Sequence, residues 1–319
     1  MMAQRLQPGQ MPQESALIPH RQLEQILKEF ERCCQLTAGH NEPTCMTVEG
    51  PTGVGKTRLA EELVRREPPY EGPEGLIWPV FHSQIPAETT PKNFAIALLA
   101  DLGDPTPSRG DPMRRVIELI SQVVVHAVVL DDFQHLLNVN TPRRQDAVTD
   151  LLKVLIKKTN KVFVVVGIEG KIGEILQHNT QLKRLFSARM HLRPFALDWN
   201  TKPEQYQDQV REFDFFIGAA VRTNGITFSD QLPHEGWLIR LHLATQGVAA
   251  NILNLLRYAR VLALERDRHV VDLGILAEAY ENRMQTHLDD SLYGRAFKDV
   301  NPFRVSEEKL FEMPGAKRH

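Results

Sequence analysis

The sequence predicts a parallel α/β sandwich followed by a smaller helical domain, and three observations carry that prediction. Residues 50–57 read Gly-Pro-Thr-Gly-Val-Gly-Lys-Thr between a strand-like segment and an amphipathic helix. Two short β-branched runs, residues 127–130 and 161–166, lack alternation and so suit strands buried on both faces of a parallel sheet. A helical stretch at residues 142–158 separates them, and from about Pro203 helices take over entirely.

The first element of the site is the loop Gly50, Pro51, Thr52, Gly53, Val54, Gly55, Lys56, Thr57. Its glycines let the backbone curl so that consecutive N–H groups face phosphate oxygens. The lysine then reaches the β- and γ-phosphates, and the threonine hydroxyl ligates Mg²⁺. Residues 44–49 alternate like a strand before it. Residues 57–66 form a helix after it, with Leu59, Ala60 and Leu63 on one side. Strand, loop and helix in that order predict a site for a nucleoside triphosphate and its magnesium.

The remaining elements follow in chain order. Residues 1–15 read as a flexible arm. Residues 20–36 read as a helix with Leu23, Ile26, Leu27 and Phe30 at i, i+3, i+4 and i+7. A Pro/Gly-rich connector at 67–75 leads to a strand at 76–81. Residues 92–101 are helical until Gly103, Pro105 and Pro107 stop them, and 111–125 form a helix with Asp111 as N-cap and Pro112 in the first turn. Later helices are expected at 203–221, 235–245, 248–266 and 273–284. The domain plan is therefore an arm (1–15), an α/β nucleotide domain (16–200), a helical lid (201–284) and an extended tail (285–319).

Bulk properties bound the function only loosely. The chain has 319 residues, 42% of them hydrophobic and 24% charged, with net charge −2. That excludes wholesale disorder and neither indicates nor excludes a nucleic-acid partner. Cys33, Cys34 and Cys45 have no metal-ligand spacing and read as free thiols. The longest apolar run, residues 123–130, is interrupted by His126 and too short to span a bilayer, and residues 1–14 are polar and rich in Gln and Pro rather than a signal peptide. A cytoplasmic protein without a membrane partner is the expectation.

Residues 127–132, Ala-Val-Val-Leu-Asp-Asp, supply the second half of the site. A buried strand would deliver Asp131 to the sheet edge beside the loop, where it can hold Mg²⁺ through water. Asp132 stands where a water-activating carboxylate would act as catalytic base, one methylene shorter than glutamate, which predicts slow hydrolysis. The plainer alternative is two acids ending a strand at the solvent. Further on, Arg184 or Arg189, just before a sheet-edge strand, could reach the γ-phosphate of a neighbouring copy, with Arg184 preferred. The ordinary fate of such an arginine is a surface salt bridge.

With these elements in order and a helical lid behind them, the chain resembles an AAA+ ATPase of the initiator type. More narrowly it resembles the TniB/TnsC family, ATP-dependent regulators of transposition. The residues that carry the likeness are Gly50 to Thr57, the Walker B run continuing into Phe133, Gln134, His135 and Leu136, the Val164–Gly167 run and residues 181–186 with Pro194 and Phe195. The lid segments 244–247 and 251–256 and the Asn301, Pro302, Phe303 tail add to it. The resemblance implies an AAA+ P-loop core with a small helical lid, assembling with ATP into a ring or helical filament on double-stranded DNA. It also implies a bacterial, DNA-associated location and two partners: a TniQ-type target selector, which a CRISPR effector can guide, and a DDE transposase. Lys56, Thr57, Asp131 and Arg184 fall on the family's functional positions. Two departures stand out. Gly167 and Ile168 replace the polar residue expected at the end of that strand, leaving Glu169 as the nearest polar group. Residues 247–250 lack the lid arginine of many AAA+ proteins.

DNA contacts would be to phosphates, from Lys92, Arg114, Arg115, Arg143 and Arg144, each of which also suits a solvated helix face. Adenine is expected near Ile18, Pro19 and His20 and the helical lid. The competing function is a switch ATPase that assembles with protein partners and no DNA. A small-molecule kinase would need a substrate lid within the core.

Overall fold

In the computed structural model the described residues are 17–73, 75–87, 90–122, 125–138, 142–177, 179–198, 201–229, 234–284 and 300–312. The chain divides into two compact units. One is Arg21–Arg193, and the other joins the residues up to His20 to those from Pro194 onward.

The first unit is a five-stranded sheet between helices. Its elements are α1 (Arg21–Ala38), β1 (Met46–Gly50), α2 (Lys56–Arg66), a hairpin of β2 (Tyr70–Gly72) and β3 (Gly75–Ile77), β4 (Val80–Gln84), α3 (Pro91–Asp101), α4 (Pro112–Gln122) and β5 (Ala127–Asp131). A 3₁₀ turn (Phe133–Asn138), α5 (Pro142–Thr159), β6 (Val162–Ile168), α6 (Lys171–Gln177), α7 (Thr180–Leu185) and β7 (Ala188–His191) complete it. The strand order is β4-β5-β6-β1-β7, and every neighbouring pair is parallel. Phe81, Val128, Leu130, Phe163 and Val165 share one face and pack with side chains of α3 to α7. By strand alternation Met46, Val48, Val129 and Val164 face the other way, toward α1 and α2. Both faces are buried, which is why these strands carry no alternation in the sequence.

Two expectations are corrected here. The connector at 67–75 carries paired backbone, because Tyr70 to Gly72 run antiparallel to Gly75 to Ile77. The single strand expected at 76–81 is two strands, interrupted at Trp78 and Pro79. Proline has no N–H to give to a ladder, so the chain leaves the hairpin there and enters the main sheet at Val80.

The second unit is helical: α8 (Pro203–Thr223), α9 (His234–Thr245), α10 (Ala249–Glu265) and α11 (Leu273–Arg283), with a short parallel pair β8 (Thr227–Phe228) and β9 (Val270–Val271) and a final α12 (Glu307–Glu312). Ile252, Leu255, Leu256 and Ala259 of α10 form its buried stripe, joined by Phe213, Phe216, Leu276 and Tyr280. Ile18 belongs to this core, and His20 packs its ring against Phe195 and Phe216. The tail is also corrected in part. Asn301 and Phe303 are buried, and Asn301 Nδ2 donates to the carbonyl of Ala277 (2.8 Å), so residues 300–312 are docked on the helical unit rather than extended. Residues 285–299 and 313–319 lie outside the described residues, as do 1–16. Among the described residues no helix is long and apolar enough to cross a membrane.

Candidate nucleotide site

β1 runs straight into the loop and α2 starts at Lys56. Gly55, which caps α2, has φ 105°, a left-handed conformation that a Cβ would strain. The turn it permits sends Lys56 back over the loop, where Nζ donates to the carbonyls of Gly50 (2.9 Å) and Pro51 (2.7 Å). Burial lowers the Lys56 pKa, with the Asp131 and Asp132 carboxylates pulling the other way. Those two acids therefore sit close enough to feel its charge. Thr57 occupies the first turn of α2 and is exposed.

Asp131 ends β5 and is only 2% exposed. Its Oδ1 accepts the Asp132 N–H (2.8 Å), while Oδ2 is buried without any hydrogen-bond partner. A buried, half-satisfied carboxylate is costly unless something else comes to it. This removes the plainer alternative for Asp131, since it does not end the strand in solvent. The donor set, one carboxylate and one hydroxyl beside a phosphate loop, fits a magnesium ion that takes its other ligands from water and phosphate.

Asp132 is half-buried with φ 54°. Its Oδ2 accepts from Gln84 Nε2 (2.5 Å) and its Oδ1 from Gln134 Nε2 (2.9 Å). Burial works to raise its pKa, but the two amide donors, with His135 and Lys56, hold it below the ordinary carboxylate value. The group is therefore an anion throughout the neutral range. Sequence reasoning missed both glutamines. Gln134 lies in the run after the two acids, where its spacing was visible. Gln84 had no signal, because its place opposite Asp131 comes from the pairing of β4 with β5.

The arginines are elsewhere. Arg184, in the last turn of α7, gives Nη2 to both oxygens of Glu42 (3.0 and 3.2 Å) and lines a hollow with Lys157, Thr180 and Gln181. Leu185 O accepts from Cys45 N (2.9 Å), which puts this region at the start of β1, a full strand away from Lys56. Arg189 stands exposed on the edge strand β7, opposite Thr47. The Glu169 carboxylate lies 3.6 Å from His191 Nδ1.

The residues expected at DNA phosphates lie at the starts of α3, α4 and α5. Lys92 is exposed at the start of α3, behind the Thr90 cap. Arg114 pairs with Glu118 one turn along (2.7 Å). Arg115 bonds Asp104, the Thr106 carbonyl (2.6 Å) and the Arg109 carbonyl (2.8 Å), and so staples the loop before α4. Arg143 and Arg144 are in α5, and their side chains lie outside the described residues.

The family model for the bacterial TniB protein matches residues 10–195, more than half of the chain. No curated protein sequence matches it. Among solved structures, the Aeropyrum pernix ORC2 protein in its ADPNP–ADP complexes is 14% identical with a TM-score of 0.57, over 88% of this chain and 72% of that one. The Aeropyrum pernix ORC1 protein in complex with DNA is 20% identical with a TM-score of 0.56, over 84% of this chain and 66% of that one. The Thermotoga maritima RuvB Holliday junction branch migration motor is 14% identical with a TM-score of 0.51, over 86% and 72%. At such identities the likeness is one of fold. The chain belongs to the bacterial TniB family and has the fold of the AAA+ ATPases.

Proposed function

We propose that this ATPase is a switch in DNA transposition. ATP held at the phosphate loop joins adjacent copies into a ring or filament on double-stranded DNA, and hydrolysis lets them part. The assembly would link a TniQ-type target selector to a DDE transposase. Family membership supports the transposition setting, and a fold shared with a protein solved on DNA supports the duplex.

The observation that carries the reading is the division of charged groups between the two ends of the sheet. Lys56, Asp131 and Asp132 interact at the end of β1 and β5, whereas Arg184 lies at the start of β1. An arginine so placed cannot serve its own loop, but a neighbouring copy's loop is open to it.

In this scheme backbone amides of residues 52–57 and Lys56 bind the phosphates. Thr57 and Asp131 would hold Mg²⁺, which would supply positive charge beside the phosphates. Asp132 accepts a proton from the attacking water as the new O–P bond forms. The bond from the γ-phosphorus to the bridging oxygen breaks, and ADP and inorganic phosphate leave. Arg184 of the adjoining copy steadies the charge on the transferring group. The aspartate is short for this role, and the expected turnover is slow.

Sedimentation of the full chain with duplex DNA, with and without a non-hydrolysable ATP analogue, tests the proposal. Large assemblies are expected only with both present, and affinity should fall steeply with salt. Identical size and duplex affinity with and without nucleotide would overturn it. Assembly with nucleotide that ignores DNA would favour a switch acting on protein partners.

A further inference from the structure

Gln134 lies in the 3₁₀ turn after β5, yet its side chain reaches across to the tip of β6. Its Oε1 accepts the Ile168 N–H (3.2 Å) while its Nε2 donates to Asp132 Oδ1 (2.9 Å). The two partners fix the orientation of the amide, since only the oxygen can take an N–H and only the NH₂ can give to a carboxylate. Gly167 makes room for it. A Cβ at 167 would lie 2.8 Å from Gln134 Oε1 and 3.3 Å from the Ile172 side chain, so the space a residue there would fill is already taken.

The location of that tip gives the contact its meaning. β6 is the strand between β5 and β1, and Gly167 and Ile168 pair with Glu49 and Gly50 at the root of the phosphate loop. The Gln134 amide thus joins Asp132 to the strand that abuts the loop. With Gln84 on the other oxygen (2.5 Å), both carboxylate oxygens are held and the plane of the group is set. An aspartate χ2 is otherwise broad, so the donors decide where the remaining lone pairs point.

We propose that Gln134 is a positioning residue for ATP hydrolysis, which orients the Asp132 carboxylate and ties it to the tip of β6 in place of a side chain from β6 itself. It rests on the reading of Asp132 as the base. The glutamine acts through Asp132, and its loss should lower kcat while leaving KM for ATP alone.

ATP turnover at saturation and KM for ATP are to be measured for the full chain and for Gln134→Glu, Gln134→Ala and Asp132→Asn. Gln134→Glu keeps the size and the acceptor for Ile168 and exchanges the donor for a second carboxylate. Its kcat should fall about tenfold or more with KM for ATP unchanged, because the like charge turns the Asp132 carboxylate out of its held orientation. Gln134→Ala should lower kcat by less, again with KM unchanged. Gly167→Ser, which collides with the amide, should be harmful alone and add little to Gln134→Ala, a non-additivity that a double-mutant cycle reads. If Gln134→Glu has the wild-type kcat while Asp132→Asn loses turnover, the positioning role is wrong. If Asp132→Asn turns over like the wild type, or the wild-type chain hydrolyses nothing, the assignment of the base fails and takes the proposal with it.

Discussion

Arg240 Nη1 donates to the carbonyl of Val305 at 2.9 Å, joining α9 to a segment 65 residues further along the chain. The same guanidinium bonds the Pro302 carbonyl. Burial lowers the Arg240 pKa, with Glu307 pulling the other way. Arg240→Met keeps the buried stem and removes the donors, leaving two carbonyls without partners. The expected loss is about 2–4 kcal/mol of stability in the helical unit. Residues 300–310 should also become open to limited proteolysis. An unchanged cleavage pattern and melting temperature would mean that the Asn301 and Arg304 contacts hold the segment unaided.

The docked tail also shows where sequence reading runs out. The phosphate loop was legible because glycine spacing, lysine and threonine report a local backbone shape, and β1 and α2 fall within two residues of expectation. Asp131 was legible because a fully apolar strand ending in acids is itself a local pattern. Asn301, Pro302 and Phe303 stood out only through family likeness, and their docking depends on Arg240, Ala277 and Glu281, which are distant in sequence. The clamp on Asp132 was hidden for the same reason, since Gln84 reaches it through strand pairing and Gln134 through a gap left by a glycine.

Stability should weaken in mild acid through buried histidines. His242 is 7% exposed and its Nε2–H donates to the Phe195 carbonyl (2.8 Å). Burial pushes its pKa down to about 4, although the carbonyl pulls it back, and burial pushes His20 to about 4 as well. Their folded values lie below the unfolded value of about 6.5. The stability they support is therefore present above pH 6.5, falls as pH drops toward 4, and falls no further beyond that. For His242 alone this amounts to about 3 kcal/mol. Glu281, held at about 2 by Arg304 and Asn301, acts in a lower window, below its ordinary value. Thermal unfolding between pH 7 and 4.5 checks this, and His242→Gln should flatten the curve. A wild-type melting temperature that is level across that range would contradict it.

Within the phosphate-loop site, two substitutions should separate binding from turnover. Lys56→Ala removes the charge that bonds the loop carbonyls, and nucleotide-dependent assembly should disappear. Asp132→Asn keeps the shape of the side chain and should slow hydrolysis by about a hundredfold or more while sparing assembly. Assembly can be followed by sedimentation and turnover by phosphate release. Normal assembly of the lysine variant would refute the loop assignment, and failed assembly of the asparagine variant would make Asp132 structural.

The last test concerns Arg184, whose distance from its own loop makes complementation the informative experiment. Alone, Arg184→Ala should bind nucleotide normally and lose about 10³-fold in turnover, the scale expected for an arginine acting across an interface. It also breaks the exposed pair with Glu42, which should cost little stability. Mixing Arg184→Ala chains with Lys56→Ala chains creates one kind of junction with a whole site: an intact loop on one copy facing an intact arginine on the next. A mixture should then hydrolyse ATP faster than either variant alone, because a Lys56→Ala chain can still present its arginine to the loop of an Arg184→Ala chain at the end of an assembly. Arg189→Ala serves as the comparison, because that residue is exposed on β7 and is the other candidate. Rescue with Arg189→Ala and none with Arg184→Ala would transfer the role to the strand. Absence of rescue with both would place the chemistry within a single chain and remove the arginine from it.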